Sequence, residues 1–254
     1  MSGAPIGLAI IGAGGRMGGS LLRLLPGFPD LRLQAALESP GYPGLGADSG
    51  LNAGIAANGV PLGADLAAGL RGAGLAIAFS AAGAAPEQLR ACAAAGVPLL
   101  LGTTGVGPEL GPEVQRAAAR IPVLVSANTS LAVTLLQELV RQAAAALPAE
   151  FDIQIVETHH PDKRDAPSGT ALSLGAAAGV GRAGHGRPVG YASLRGGDVV
   201  GEHEVHFLGL GERLRLAHSA TDRSVFARGA LRAGSWLARQ APGSYRMADV
   251  FGEK

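Results

Sequence analysis

The chain has 254 residues, 47% of them hydrophobic, and a formal net charge of +1. This length suffices to bury a core in one large domain or in two smaller ones. The balanced charge, without a basic or acidic run, argues against nucleic acid and anionic membranes as partners.

Cysteine content and the N-terminal residues bear on the compartment. Cys92 is the single cysteine, which excludes a disulfide within the chain and predicts a small buried thiol on a helix. The N-terminus lacks a basic segment of the signal-peptide type, and no apolar stretch approaches the length of a membrane span. We therefore expect a soluble, cytoplasmic protein.

The first strand runs into a glycine-rich loop. Ile6–Ile11 is an apolar run that predicts a buried strand, and a helix follows the loop. A strand, a glycine loop and a helix in this order are typical of a dinucleotide-binding fingerprint. The spacing is G-x-x-G-x-x-G through Gly12, Gly15 and Gly18, because Met17 occupies the sixth position. By itself the loop fits a structural turn equally well.

An acidic residue follows the second predicted strand. Leu31–Leu37 ends directly before Glu38, which is placed to accept hydrogen bonds from an adenosine ribose. Strands and helices then alternate, with strands at 75–79, 97–101 and 123–125 and helices at 64–71, 86–95 and 108–120. This alternation predicts a parallel sheet, whose ligands bind at the carboxyl ends of the strands.

Two further strand ends are candidate cofactor loops. They are Gly102-Thr103-Thr104 and Ser126-Ala127-Asn128-Thr129. Each also fits an ordinary turn, and only their shared position with the glycine loop favours a binding role.

The pattern changes in the second half of the chain. After a helix at 130–147 and a strand at 151–156, the sequence predicts a helix at 171–178, strands at 189–194, 198–207 and 213–219, and a final helix at 224–240. Consecutive strands indicate a mixed or antiparallel sheet. The predicted fold is α/β, with a Rossmann-like parallel-sheet domain at 1–128 plus 224–254 and an α+β domain at 129–223.

A polar stretch separates the strand at 151–156 from the next helix. Ser168 is a predicted N-cap, and Gly169 and Thr170 fall in the first helical turn, where backbone N–H groups lack intrahelical partners. Such a helix start binds carboxylates or phosphates.

Cationic and titratable side chains precede this helix. Lys163 and His160 can add positive charge to the same place, and His159 is a candidate general acid or base near neutral pH. The competing interpretation is a solvated loop before a capped helix. Because an anion site, a cation and a proton-transfer group occur together, we favour a catalytic loop.

Three other histidines lie in the predicted strands. His203 and His206 are three residues apart, which places them on opposite faces of a strand, and His218 follows in the next one. Zinc ligands usually come in local pairs of defined geometry. We therefore expect no metal site.

Three motifs together resemble the dihydrodipicolinate reductase family, also called 4-hydroxy-tetrahydrodipicolinate reductase. The most specific is E-x-H-H-x-x-K-x-D-A-P-S-G-T-A, present without a gap from Glu157 to Ala171. The others are R-G-G-D-V-V-G-E-H from Arg195 and G-A-G-G-R-M-G from Gly12. The resemblance extends over nearly the whole chain.

The resemblance implies an NAD(P)H-dependent reduction of 4-hydroxy-tetrahydrodipicolinate, as the dehydrated cyclic imine, to tetrahydrodipicolinate in diaminopimelate and lysine biosynthesis. It implies that His159 exchanges the proton, that Lys163 donates one, and that the dicarboxylate substrate contacts His160, Gly169 and Thr170. It also implies a homotetramer formed through the second domain. The implied cofactor contacts are Gly12, Ala13, Gly14, Gly15, Arg16, Met17, Glu38, Gly102, Thr103, Thr104, Ser126, Ala127, Asn128 and Thr129.

The sequence also suggests a cofactor preference. Family members that use NADPH well tend to follow the acid with an arginine, whereas Glu38 is followed by Ser39-Pro40-Gly41. We therefore expect NADH to be preferred and NADPH to remain usable through Arg16.

Two alternative functions stay open, a related amine or amino-acid dehydrogenase and a non-catalytic dinucleotide-sensing protein. A substrate panel separates the first from a reductase, and binding of NADH without turnover would identify the second.

Overall fold

The protein is described from a computed structural model, which describes residues 4–183 and 186–252. These residues form two compact units, one within 1–129 and 226–254 and the other within 130–225. In the described ranges, no helix is both long and apolar enough to cross a lipid bilayer.

The elements follow the predicted alternation. The strands are β1 Ile6–Ile11, β2 Leu31–Leu37, β3 Leu62–Gly63, β4 Leu75–Ala78, β5 Leu99–Leu101, β6 Pro122–Val125, β7 Asp152–His159, β8 Gly190–Arg195, β9 Gly201–Leu208, β10 Arg213–Ala220 and β11 Gly243–Tyr245. The helices are α1 Arg16–Leu24, α2 Ser49–Asn52, α3 Leu66–Leu70, α4 Ala85–Ala95, α5 Gly111–Ala118, α6 Leu131–Ala146, α7 Gly169–Gly181 and α8 Ser224–Leu237. Short 3₁₀ turns lie at Leu25–Gly27, Ala82–Ala84, Pro108–Leu110 and Met247–Phe251.

The first unit is built on a seven-stranded parallel sheet in the order β11-β6-β5-β4-β1-β2-β3. The apolar runs that predicted its strands are buried: every residue of β4 and β5 is buried, and so is every residue of β1 after Ile6. Near-continuous burial is what a parallel sheet with two covered faces requires. The Rossmann-like prediction is confirmed, and Cys92 is a free, buried thiol in α4, as expected.

The second unit has a four-stranded sheet in the order β10-β9-β7-β8. β7 is parallel to β8 and antiparallel to β9, so the sheet is mixed, as predicted. Helices α6 and α7 share a core with one face of this sheet. Its central side chains are Leu136, Val140, Ile153, Ile155, Leu174, Val205 and Phe207.

Several boundaries differ from the prediction, and three of them bear on the second unit and the last helix. β7 was expected to end at Val156 and instead continues through Glu157 and Thr158 to His159, because its last inward side chains find polar partners. β9 begins at Gly201 rather than at 198, after a turn in which Gly197 has a φ of +60°. α8 ends at Leu237 rather than at 240.

Some short elements were not predicted. α2 and β3 lie in the segment between Glu38 and residue 64, for which no element was predicted, and β11 follows the last helix and pairs with β6. Two- to four-residue elements carry too little periodicity to be recognised from sequence, and pairing with a neighbouring strand decides whether they form.

Candidate active site

The carboxyl end of the parallel sheet gathers the predicted cofactor loops. Gly12 has a φ of +84°, and its N–H donates to Leu37 O at 2.8 Å. A Cβ at this position would lie 2.2 Å from Phe79 O, at the end of β4. A side chain therefore does not fit here, and the loops after β1, β2 and β4 are in contact.

The start of α1 is suited to a diphosphate. Gly15 is its N-cap, no side chain caps the helix, and its first turn contains no acidic residue. The first N–H groups are thus available, at the positive end of the helix dipole. A Cβ at Gly18 would lie 2.2 Å from Gly12 O, so this glycine lets the helix approach the strand closely. The cradle fits the dinucleotide that the fingerprint predicted.

Glu38 lies beside this loop. Its Oε2 accepts from the N–H of Gly14 at 3.0 Å, and its Oε1 accepts from the N–H of Ser39 at 2.9 Å. These bonds orient the carboxylate and leave each oxygen able to accept a ribose hydroxyl. Tyr42, which the sequence did not single out, places its hydroxyl 3.3 Å from Gly14 O. A Cβ at Gly14 would lie 2.4 Å from the Tyr42 ring.

The loops after β5 and β6 contain both surface and interior positions. A Cβ at Gly102 would lie 2.2 Å from the Phe79 ring, and Thr103 Oγ1 accepts from the N–H of Ser80. Thr129 Oγ1 donates to Phe226 O at 2.6 Å. Ala13, Thr103 and Thr129 are at most 3% exposed, so their side chains face the interior. Among the predicted contacts, Gly15, Arg16, Thr104 and Ala127 are exposed and Gly14, Met17, Ser126 and Asn128 are half-buried.

The second unit carries the predicted proton-transfer group. His159 ends β7, is 7% exposed, and places Nδ1 2.5 Å from Oε2 of Glu157, two residues earlier on the same strand face. An ionised carboxylate only accepts, so Nδ1 carries a hydrogen and Nε2 is the position left for proton exchange. Nε2 makes no hydrogen bond with any described residue. A Cβ at Gly201 would lie 3.0 Å from it, so this glycine leaves room around the atom.

The pKa shifts agree with this division of roles. Burial raises the pKa of Glu157, but hydrogen bonds from Arg195, Ser193 and His159 outweigh it and lower the pKa to about 2. Burial lowers the pKa of His159, the charges of Lys163 and Arg195 lower it further, and Glu157 opposes them. Glu157 is therefore a permanent anion behind an imidazole that titrates.

Arg195, at the end of β8, holds this arrangement together. Its guanidinium donates two bonds of 2.8 Å to the Glu157 carboxylate, and further bonds to the carbonyls of Lys163 and Asp165. The same side chain thus neutralises the buried acid and fixes the loop that follows β7. Sequence reasoning gave neither Glu157 nor Arg195 a role. The signal was the i, i+2 spacing, because Glu157 and His159 continue the inward alternation of Ile153 and Ile155.

The loop places its cations beside other charges. Lys163 Nζ lies 2.7 Å and 2.9 Å from the two oxygens of Asp165, whose pKa the Lys163 ammonium lowers. Arg223 places a guanidinium nitrogen 2.8 Å from His160 Nε2. A guanidinium only donates, so Nε2 of His160 is the acceptor in this contact. Arg223, which the sequence did not single out, therefore adds a cation beside His160.

The start of α7 is capped as predicted. Ser168 is the N-cap, and its Oγ accepts from the N–H of Ala171 at 3.1 Å. Gly169 is exposed, and a Cβ there would meet no atom within 4 Å, so packing does not require a glycine at this position. A glycine there would allow the close approach of a ligand. His203 places Nε2 near the hydroxyl of Ser168. Separately, the described residues contain no cluster of three or more side chains suited to a metal ion.

Solved structures share this fold. A dipicolinate-bound dihydrodipicolinate reductase from Paenisporosarcina sp. TG-14 superposes with a TM-score of 0.77 at 21% identity, covering 95% of this chain and 97% of that one. An amine dehydrogenase from Mycobacterium smegmatis superposes with a TM-score of 0.65 at 14% identity, covering 97% of this chain and 96% of that one. At these identities the likeness concerns the fold alone.

Sequence comparison is more specific. The family model of the dihydrodipicolinate reductase N-terminus matches residues 6–129, and that of the C-terminus matches residues 132–251. The 4-hydroxy-tetrahydrodipicolinate reductase of Anaeromyxobacter dehalogenans (strain 2CP-C) is 47% identical, covering 96% of this chain and 97% of its own. That of Halorhodospira halophila is 43% identical, covering 97% and 99%. The chain therefore belongs to the dihydrodipicolinate reductase family.

Proposed function

We infer that the chain reduces 4-hydroxy-tetrahydrodipicolinate, as the dehydrated cyclic imine, to tetrahydrodipicolinate in diaminopimelate and lysine biosynthesis. Its family membership and its near full-length relatives of that name support this activity. The observation that carries the assignment is the Glu157–His159 pair, in which Nε2 of His159 makes no hydrogen bond with any described residue, together with the start of α7 that follows on the same loop.

The glycine loop before α1 and Glu38 would hold a nicotinamide dinucleotide, which would supply the hydride that the ring accepts. The ring also takes up one proton, which we assign to Nε2 of His159, since Nδ1 is held by Glu157. Glu157 stabilises the protonated imidazole and fixes its tautomer. Lys163 lies on the same loop and supplies a second N–H donor and a positive charge.

The start of α7 is proposed to bind a substrate carboxylate. The N–H groups of Gly169 and Thr170 begin the helix, and the dipole favours an anion there. Dipicolinate, which is bound to the solved relative from Paenisporosarcina, is a planar dicarboxylate of the same kind and serves as a probe. Arg223 and His160 lie on the same unit as further polar contacts for the substrate.

The test is cofactor oxidation, followed by absorbance, with the substrate generated in situ from pyruvate and aspartate semialdehyde. We expect His159→Ala to lose roughly 10²–10⁴ in kcat, the scale of general acid–base catalysis. Lys163→Ala should lower kcat and raise KM, because its charge both binds and donates. Wild-type turnover and KM in His159→Ala would contradict the assignment.

We propose that NADH is preferred over NADPH by roughly tenfold in kcat/KM, the size of one partly screened charge contact. Support comes from Glu38, whose oriented carboxylate repels a 2′-phosphate, and from Ser39, which supplies no cation. Arg16 is exposed at the start of α1 and is the cation proposed to make NADPH usable. Ser39→Arg should narrow the difference and Arg16→Ala should widen it. An equal or better kcat/KM with NADPH in the wild type would contradict this proposal.

We also propose a cytoplasmic homotetramer that assembles through the sheet of the second unit. The face of this sheet opposite α6 and α7 bears Val156 and Thr158 on β7 and an exposed Leu194 on β8. On β9 and β10 of the same face, Glu204 pairs with His206 and Arg215. Light scattering of the wild type and of Leu194→Asp measures the assembly. A monomeric wild type would exclude the tetramer.

We further propose that residues 1–128 with 224–254 bind the dinucleotide and that residues 129–223 bind the substrate and form the oligomer. The glycine loop and Glu38 in the first part, and His159 and α7 in the second, support this division. Hydrogen exchange with NADH alone and with dipicolinate alone would test it. Protection of the glycine loop by dipicolinate alone would contradict it.

A further inference from the structure

His203 has no place in the reaction described so far. It lies on β9, directly opposite Glu157 on β7, and is 4% exposed. Its Nε2 lies 3.0 Å from Ser168 Oγ, and its ring meets the ring of His159 edge-on, with centroids 5.1 Å apart and planes at 76°. One side chain thus contacts both the proton-transfer group and the residue that begins α7.

Ser168 is held from several sides. Its N–H donates to Glu157 Oε1 at 3.2 Å, and its Oγ accepts from Ala171 N–H. Because Gly169 and Thr170 follow it directly, the position of Ser168 sets the direction of the N–H groups that start the helix. The contact with His203 ties the Ser168 hydroxyl to β9.

Burial makes an imidazole costly at this position. Nδ1 of His203 is fully buried and has no hydrogen-bond partner among the described residues. A buried polar atom without a partner destabilises a fold, and an apolar side chain of similar size would fill the same space without that penalty. Burial and the neighbouring His159 lower the pKa of His203 to about 4, so the ring is neutral at neutral pH. Packing alone does not explain a histidine here.

We propose that His203 is a positioning residue that aligns the anion-binding start of α7 with His159. This inference rests on the proposed function, because it assigns the substrate carboxylate to α7 and the proton to His159. His203 acts through Ser168 and through ring contact. It does not itself exchange a proton with the substrate.

The test separates the two contacts by substitution. His203→Phe keeps an aromatic ring against His159 and removes the bond to Ser168, and we expect KM and the dipicolinate inhibition constant to rise about tenfold, the scale of one buried hydrogen bond. We expect kcat to stay within about threefold, because Glu157 still fixes His159. His203→Gln places an amide nitrogen near the position of Nε2 and should restore both constants, whereas the shorter His203→Asn should not.

Two controls distinguish alignment from general packing. His218 is the neighbour of His203 on β10 and has a buried Nδ1 without a partner among the described residues, but makes no bond to Ser168. His218→Phe should leave the dipicolinate constant unchanged. Adding His203→Phe to Ser168→Ala should raise KM no further than Ser168→Ala alone, because both changes break the same bond.

The outcomes decide the proposal. An unchanged KM in His203→Phe, equal effects of His203→Phe and His218→Phe, or additive effects of His203→Phe and Ser168→Ala would each overturn it. If His203→Phe does not fold, His203→Gln and His203→Asn repeat the comparison with polar side chains. Calorimetric binding of dipicolinate tests His203 separately from turnover, so a wild type that bound the probe without reducing the substrate would refute the proposed function and not the alignment.

Discussion

Glu157→Gln is the substitution that most directly tests how His159 is activated. The amide has nearly the shape of the carboxylate, so it removes the charge behind the imidazole without opening a cavity. Glu157 is 1% exposed and lies 2.5 Å from His159 Nδ1, so water cannot readily replace the lost contact. Arg195 keeps its bonds to the carbonyls of Lys163, Asp165 and Leu194, which limits the structural damage.

The size of the effect follows from that contact. A hydrogen bond to a charged group contributes about 1.5–3 kcal/mol, and about 1.4 kcal/mol changes an equilibrium tenfold. Burial already lowers the pKa of His159, so at neutral pH the protonated fraction of the imidazole limits kcat. Losing the carboxylate should reduce that fraction, and with it kcat, by roughly 10- to 100-fold.

The assay is kcat as a function of pH for the wild type and the variant. As pH falls, both imidazoles become protonated, so the difference between the two kcat values should narrow. Asp152→Asn is the matched control, since it also changes a carboxylate of β7 to an amide. The Asp152 side chain is 37% exposed and pairs with Arg187 at 3.0 Å. The Asp152→Asn variant should therefore leave kcat unchanged. Wild-type kcat in a folded Glu157→Gln, or a deficit that is equal at all pH values, would refute the role of this pair.

Two further predictions concern charge in the second unit. Asp165→Asn should strengthen dipicolinate binding about threefold, because it frees Lys163 from a solvent-exposed ion pair. Inhibition assays measure this, and weaker binding of dipicolinate would contradict the prediction. The pKa of His203 is lowered from 6.5 to about 4, so its contribution to the free energy of unfolding is present above pH 6.5 and is lost as pH falls through 4. The pKa of Glu157 is lowered from 4.5 to about 2, so its contribution is present above pH 4.5 and is lost as pH falls through 2. Between pH 6.5 and 4, urea unfolding should show that the free energy of unfolding falls by about 3 kcal/mol because of His203. The His203→Phe variant should lack that fall.

The cofactor half was largely predictable from sequence. Parallel strands are buried on both faces, so their apolar runs are nearly continuous and easily recognised. Gly14 and Glu38 are separated by a fixed βα unit, so their proximity follows from the fold. Tyr42 was not predictable, because it lies in a glycine- and proline-rich segment whose path is set by long-range contacts such as the one with Gly14. The inward side chain of Thr129 likewise depends on Phe226, distant in sequence.

The substrate half was predictable in its residues and not in their arrangement. His159, Lys163 and Ser168 were recognised by type and spacing, and Ser168 is the N-cap as predicted. The expectation of a polar loop from Glu157 onwards was wrong, because β7 continues to His159 and buries the Glu157 side chain. A buried carboxylate is tolerated there only because Arg195, 38 residues later, pairs with it. Such a partner cannot be identified from local sequence.

The proposed acid–base group lies on a strand and the proposed anion-binding groups lie on the loop and on α7, and this separation explains how the scaffold can serve a particular substrate. The amine dehydrogenase of Mycobacterium smegmatis shares the fold with a TM-score of 0.65, so the fold itself does not select the substrate. In this chain the proposed acid–base group ends a strand and is fixed by Glu157 and Arg195, whereas the proposed anion-binding groups lie on the loop and on the first turn of α7. Changes in the loop at 160–167 can therefore alter which carboxylate binds without moving His159. Changes at Glu157 or Arg195 should instead slow proton transfer for every substrate.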